Sequence, residues 1–277
     1  MNIGVVIINY HSEKLTSAFI REECSKISSP HRIVVVDNDS RGELTDLPSE
    51  VEVIRSEENL GFARGNNLGA EWLRDNWNPD FILFANNDIR FFSPDVADRM
   101  AERLSGLEDA GVIGPEVVGL DQRRQGPEPF MTFSERHLLP YWGKLFYRKK
   151  TLDAKLYRDY AESAAEGPHY RVTGAFFMVR AADFFAAGMF DPATFLYGEE
   201  AILSERMKAI GRCVWFYPEV RVIHEHGATT RSYYSRVAIR SMKFESESYY
   251  FRTYIGTPSW QFALAKFTYF LKRLFRR

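Results

Sequence analysis

At 277 residues, 45% hydrophobic and 26% charged, the chain has room for one large α/β domain with additions or two small domains, in the composition range of soluble globular proteins. A net charge of −1 gives no global attraction for nucleic acid, and the widely separated Cys24 and Cys213 form no metal-type spacing, which fits reduced thiols in a cytoplasmic setting. The apolar opening Ile3 to Ile8 lacks a basic leader and is too short for a signal peptide, and no run reaches the roughly 18 apolar residues of a spanning helix.

In chain order, Ile3 to Asn9 reads as a buried strand ending in Asn9-Tyr10-His11, after which Ser12 can cap a helix carrying Leu15, Phe19 and Ile27. Arg32 to Val36 is a second β-branched strand running into Asp37-Asn38-Asp39-Ser40, and Val51 to Ile54 is a third by its alternation. Strand, helix and strand with polar residues at each exit is the pattern of a nucleotide-binding half-sheet. Asp37 and Asp39 either open a turn or accept from a base N–H and ribose hydroxyls. From Glu58 to Ala70 glycine recurs every fourth residue, which lets the backbone pack closely against a sheet or a ligand, and Arg64 can fork onto a phosphate or carboxylate. With neither a Walker loop nor a Rossmann glycine fingerprint, no cradle of backbone amides is expected.

Phe81 to Ala85 is wholly apolar, as a strand buried on both faces should be, and delivers Asn86, Asn87 and Asp88 to the strand end where parallel sheets bind ligands. The same three residues are also good turn formers. Ser93-Pro94 starts a helix to about Leu107, and Gly111 to Val118 supplies another strand. Residues 119–170 are irregular and rich in Arg, Pro and Tyr, a place for acceptor contacts. Val172 to Val179 is a strand, and Phe195 to Gly198 leads through Glu199 and Glu200 into a helix from Ala201 to Ile210. Two acids at a helix start suit the macrodipole, and one of them can equally serve as a general base. Val220 to His224 is the last core strand and runs into Glu225-His226-Gly227. A carboxylate such as Asp88 and an imidazole such as His224 can together hold a divalent cation whose other positions go to water and phosphate oxygens.

Taken as a set and in this order, Val35-Val36-Asp37-Asn38, Asn59 to Asn67, Asn86-Asn87-Asp88, Val172 to Ala175, Tyr197 to Glu200 and Val222-Ile223-His224 resemble the inverting glycosyltransferases of family 2, and within them the rhamnosyltransferase-like members. The resemblance runs from residue 3 to residue 230 and implies an α/β fold, a GT-A, Rossmann-like mixed sheet flanked by helices over residues 1–231 with a C-terminal helical extension over 232–277. It implies transfer of a sugar, rhamnose from a dTDP donor or a sugar from UDP, to a hydroxyl of a cell-surface glycan or lipid-linked acceptor. By position it assigns Asn9, Tyr10, Asp37, Asp39, Arg64, Asn67, Asn87 and Asp88 to the nucleotide-sugar. It assigns Asp88 and His224, with His226 as the competing imidazole, to Mg2+ or Mn2+. The family usually has Glu-Asp where this chain has Glu199-Glu200, and the second acid is commonly the base, so Glu200 is expected to take the proton with Glu199 second. A sugar-nucleotide-forming nucleotidyltransferase should instead carry a glycine-rich basic loop where Asn9-Tyr10-His11 stands. A non-catalytic carbohydrate-binding protein would need neither the Asp88 and His224 pair nor the glutamates.

The tail lies outside the shared core. On a helical wheel Trp260, Ala263, Leu264, Phe267, Phe270, Leu271, Leu274 and Phe275 fall within roughly 140°, opposite Lys266, Lys272, Arg273, Arg276 and Arg277, with only Phe262 misplaced. Such a basic amphipathic helix over 258–277 can lie on the inner, anionic face of a membrane near a lipid-linked acceptor, or dock on its own core or on a second copy.

Overall fold

The structure is a computed structural model that describes all residues except 40, 41, 43, 46, 143–157, 226–232 and 275–277. The strands are β1 (Ile3–Asn9), β2 (His31–Asn38), β3 (Val51–Ser56), β4 (Phe81–Ala85), β5 (Ile89–Phe91), β6 (Ala110–Val118), β7 (Gly167–His169), β8 (Phe176–Arg180) and β9 (Cys213–His224). The helices are α1 (Glu13–Glu22), α2 (Gly61–Asn76), α3 (Val96–Ser105), α4 (Leu139–Trp142), α5 (Arg158–Ser163), α6 (Ala181–Ala186), α7 (Glu199–Ala209), α8 (Arg236–Thr253) and α9 (Ser259–Leu274).

Runs of β-branched and aromatic residues with no polar face must be covered on both sides, and β1, β2 and β4 accordingly form the centre of a sheet between two layers of helices. β1 is parallel to both β2 and β4, and β3 adds a parallel edge beside β2. Direction reverses at β8, which is antiparallel to β4, and the sheet continues in the order β3-β2-β1-β4-β8-β6-β9-β5, with β7 paired to β9. Ile3, Val5 and Ile7 face a core closed by α1 and α3, while Val6 faces the opposite core beneath α2, α6 and α7. A third cluster joins Phe133, Ala201, Ile202, Tyr250, Phe251, Phe262 and Ala265, so α8 and α9 pack on the body through α7.

The four-residue glycine spacing is used for close approach. A β-carbon at Gly69 would stand 2.6 Å from Val6 Cγ1, and one at Gly65 would stand 3.1 Å from Ile8 Cδ1, so α2 lies directly on β1.

Four local expectations change. β8 begins at Phe176 rather than Val172, because Thr173 Oγ1 donates to the Gln125 carbonyl at 3.0 Å and the Ala175 carbonyl accepts from Asn86 N–H at 2.8 Å, bonds that take this stretch out of the ladder. Ser12 stands at the N-cap of α1, but its hydroxyl donates to Asn9 Oδ1 at 3.2 Å instead of capping the helix. β9 begins at Cys213, and Pro218, which has no N–H for a ladder, hides its first half from a periodicity argument; the register against β6 shifts between Pro115 and Glu116. In α9 the residue that looked misplaced, Phe262, is the one buried with Ala265, whereas Trp260, Phe267 and Phe270 are 62%, 53% and 61% exposed. Among the described residues no helix is long and apolar enough to cross a membrane.

Candidate active site

A cleft of about 670 Å³ opens beyond the carboxyl ends of the parallel strands, where ligands of open α/β sheets bind. Of the candidates named from sequence it brings together Tyr10, Asn87, Asp88, Glu199, Glu200 and His224.

The pairing of β5 with β9 sets the first part of the site. Ile89 stands opposite His224, the Glu225 N–H donates to the Asp88 carbonyl at 3.0 Å, and Asp88 Oδ1 lies 3.2 Å from His224 Nε2. His224 Nδ1 lies 2.7 Å from Gln125 Oε1, a contact that fixes the orientation of the ring. A carboxylate and an imidazole nitrogen side by side are two groups that could hold a divalent cation. No group of three His, Cys, Asp or Glu able to hold a metal occurs among the described residues. The donor set fits a divalent cation that takes two protein ligands and completes its shell with ligand oxygens and water. His226 lies outside the described residues.

Beneath this pair a chain of buried hydrogen bonds ties three strand exits together. Asn87 Nδ2 donates to Ser12 Oγ at 2.8 Å and to Thr16 Oγ1 at 2.7 Å; Thr16 Oγ1 donates to Asn9 Oδ1 at 2.7 Å; Asn9 Nδ2 donates to Asp37 Oδ1 at 2.9 Å. Asn9 and Asp37 are buried in this chain and do not line the cleft. Three further candidates also stand outside the cleft wall. Asp39 is exposed in a left-handed turn at φ 62°, and Arg64 is exposed and paired with Glu58 Oε1 at 2.8 Å. Asn67 holds the backbone of Phe190 with both ends of its amide, Nδ2 donating to the carbonyl at 2.9 Å and Oδ1 accepting from N–H at 3.1 Å.

The positions sequence reasoning missed are Asn38, Asn59 and Tyr234, which line the cleft on the same side as Tyr10. Asn38 Nδ2 donates to Asn59 Oδ1 at 2.9 Å, and Asn59 Nδ2 donates to the Tyr234 hydroxyl at 3.2 Å. Burial, followed by its hydrogen bond with Tyr10, pushes the Tyr234 phenol up to about 12. The Tyr233 ring lies 5.2 Å from Tyr10 and 5.0 Å from His11. Asn38 and Asn59 were visible in the sequence as members of the family-like segments, without a role.

α7 starts at Glu199, two residues earlier than periodicity suggests, because Gly198 turns the chain at φ 87°. Both glutamates therefore occupy its first turn. Glu199 is 6% exposed, and its Oε2 is buried with no hydrogen-bond partner among the described residues. Burial, reinforced by the neighbouring Glu200 charge, raises the Glu199 carboxyl well above its ordinary 4.5, against the opposing pull of its own N–H and of Arg171. Glu200 is half-buried and lies over Gly174. A β-carbon at residue 174 would overlap the Glu200 carboxylate and stand 2.8 Å from its Cγ, so glycine there gives this side chain its room.

The wall next to the glutamates is charged and comes from the two segments the sequence left least defined. Arg171 Nε donates to Glu128 Oε2 at 2.9 Å, Arg136 Nη1 approaches the same oxygen at 3.4 Å, and Arg136 Nε donates to Glu247 Oε1 at 2.6 Å. His137 Nε2 stands 3.2 Å from Glu247 Oε2, and Lys243 also lines the cleft. Burial alone would push the Glu247 carboxyl up, but the His137 hydrogen bond and the charges of Arg136, Lys243 and His137 hold it at about 2. Lys243 and Glu247 are four apart on α8, so the C-terminal extension supplies part of the cleft.

These two buried carboxyls should give opposite pH responses. Folding raises the Glu199 carboxyl, so the stability tied to its proton is fully present below 4.5 and is lost as pH rises through the raised value. Folding lowers the Glu247 carboxyl, so its contribution is present above 4.5 and is lost as pH falls toward 2. Urea unfolding measured from acid to neutral pH should show that Glu199→Gln removes the decline above 4.5 and leaves the acid loss intact. A variant whose stability above 4.5 falls as steeply as the parent's would contradict a buried, proton-bearing Glu199.

The family model described as glycosyl transferase family 2 matches residues 4–160, more than half of the chain. A low-salt glycan biosynthesis hexosyltransferase, Agl10 of Haloferax volcanii, is 29% identical over 119 residues, 42% of this chain and 37% of that protein. An N-acetylglucosaminyl-diphospho-decaprenol L-rhamnosyltransferase of Mycobacterium tuberculosis is 23% identical over 249 residues, 82% of this chain and 77% of that protein. Among solved structures, the mannosyltransferase PcManGT from Pyrobaculum calidifontis, in complex with GDP-Man and Mn2+, superposes with a TM-score of 0.58 at 12% identity, covering 93% of this chain and 65% of that one. The chain thus spans less than two thirds of two of these three proteins. The matched residues, the mixed sheet flanked by helices and the fold shared with the mannosyltransferase together make the chain a member of glycosyl transferase family 2 with the GT-A fold.

Proposed function

We propose that the chain transfers a sugar from a nucleoside diphosphate to an acceptor hydroxyl with inversion at the anomeric carbon. The observation that carries this reading is the meeting of Asp88, His224, Glu199 and Glu200 in one cleft at the strand ends. The names of the relatives, a hexosyltransferase and an L-rhamnosyltransferase acting on a lipid-linked diphosphate sugar, support rhamnose as the transferred sugar; the donor proposed is dTDP-rhamnose, with a UDP-sugar as its competitor. They support a lipid-linked glycan as acceptor. Tyr10, Asn38, Asn59 and Tyr234 take the nucleotide end, and Asn87 and Asp88 stand beside the diphosphate. Asn9 and Asp37 act from below by fixing the exits of β1 and β2.

Asp88 and His224 are the residues that would hold Mg2+ or Mn2+; bound there, the cation would supply positive charge to the departing diphosphate. Glu200 accepts the proton of the acceptor hydroxyl while that oxygen bonds to the anomeric carbon and the bond from that carbon to the diphosphate oxygen breaks. Burial raises the Glu199 carboxyl well above its ordinary 4.5, which leaves the half-buried Glu200 over Gly174 as the better placed proton acceptor. A nucleotidyltransferase would call for a glycine-rich basic loop where Asn9-Tyr10-His11 stands, and a sugar-binding protein would need neither the Asp88 and His224 pair nor the glutamates.

A screen of nucleotide sugars by thermal shift with Mg2+ or Mn2+ identifies the donor, after which Glu200→Gln should lower turnover by about 10² to 10⁴ with little change in donor affinity. Should Glu199→Gln show that loss while Glu200→Gln turns over normally, the two roles are reversed.

α9 is proposed to rest on an anionic membrane surface at the cytoplasmic side, with the exposure of Trp260, Phe267 and Phe270 and the absence of any acid after Glu247 in support. Removal of residues 258–277 should abolish salt-sensitive sedimentation with anionic vesicles. A truncated protein that instead changes oligomeric state, with the intact one ignoring vesicles, would make this face a contact between copies.

A further inference from the structure

The proposed chemistry asks only for a neutral hydroxyl beside Glu200, yet three cations converge on that part of the cleft. Arg136 comes from the turn Ser134–Leu138, Arg171 from the approach to β8, and Lys243 from α8. Arg171 is near enough to Glu199 to act on its carboxyl. The guanidiniums of Arg136 and Arg171 are only 17% and 13% exposed, and Glu128 and Glu247 fix both in place. Lys243 stands exposed at the edge of this lattice, where its charge also acts on Glu247. Among the described residues no carboxylate forms an ion pair with Lys243, whose Nζ lies 5.8 Å from the Tyr197 ring centroid, two residues before Glu199.

A sugar that presents only hydroxyls calls for donors and acceptors in balance, which Arg136, Arg171, Glu128 and Glu247 would already meet. An exposed ammonium beside two fixed guanidiniums is instead the chemistry that binds phosphate, as a point charge and forked donors. We infer that Arg136, Arg171 and Lys243 form a subsite for a phosphate carried by the acceptor, separate from the donor's diphosphate at Asp88 and His224. The inference rests on the transferase reading of the cleft and names the acceptor's chemical class. The phosphate can belong to a lipid-linked diphosphate or to a soluble phosphorylated glycan.

Binding can be tested without turnover, so failure of the transferase reading and failure of this subsite are distinguishable. Inorganic pyrophosphate is titrated calorimetrically into the full chain in EDTA, which removes any metal-held diphosphate site. The parent and Asp88→Ala should bind alike, and Lys243→Gln, at an exposed side chain, should bind about tenfold more weakly. Farnesyl diphosphate binding tighter than pyrophosphate marks a lipid-linked acceptor, and equal affinity marks a soluble one. Pyrophosphate that fails to bind the parent in EDTA, binds Lys243→Gln as tightly as the parent, or is lost in Asp88→Ala overturns the subsite.

Discussion

The site depends on one short antiparallel pairing, β5 against the last turn of β9. Three residues of ladder bring the ends of β4 and β9, which run the same way in the sheet, to the same point, so that Asp88 and His224, distant in the chain, face each other at 3.2 Å. Gln125 Oε1, 2.7 Å from Nδ1, then holds the orientation of the imidazole ring. The backbone ladder sets the approach of this carboxylate and imidazole, and the proposed cation site rests on that approach.

Around that point the structure separates support from contact. The Asn87, Thr16, Asn9 and Asp37 chain is buried and joins β4, β1 and β2, each bond adding about 1 kcal/mol and, more importantly, leaving no strand exit free to drift. The Arg and Glu lattice on the opposite wall has the same logic at higher stakes. Removing one member of a buried ion pair costs about 3–5 kcal/mol, so the lattice is also structural, and its effect on ligands is best read through Lys243 at its edge. The glutamates sit between these two walls, one buried with its carboxyl raised, one half-buried over Gly174.

Much of the fold was legible. Apolar runs named β1, β2 and β4, polar exits marked their carboxyl ends, and the Gly61, Gly65 and Gly69 spacing announced close packing that Val6 and Ile8 bear out. The place of Asp88, His224, Glu199 and Glu200 on the cleft was legible because chemistry-bearing residues stood where buried strands or a helix began or ended. Asn9, Asp37 and Asn67 carried the right residue type and sat near the right strand ends, but type does not tell whether an amide faces the cleft or holds a neighbouring backbone, and these face inward. Arg136, Arg171 and Lys243 could not be read, since they come from an irregular stretch and a late helix that meet only in three dimensions. The α9 wheel gave the apolar arc but not its direction: a wheel reports which residues share a face, and Phe262, outside the arc, turned out to meet Phe133 at 4.4 Å between ring centroids.

The most direct test of this account is anomalous diffraction at the manganese edge from crystals grown with Mn2+ and a nucleoside diphosphate. The account predicts one strong peak between the Asp88 carboxylate and His224 Nε2, in contact with diphosphate oxygens and absent from Asp88→Ala crystals. Nucleotide bound in the cleft with manganese elsewhere, or with none at all, would contradict it.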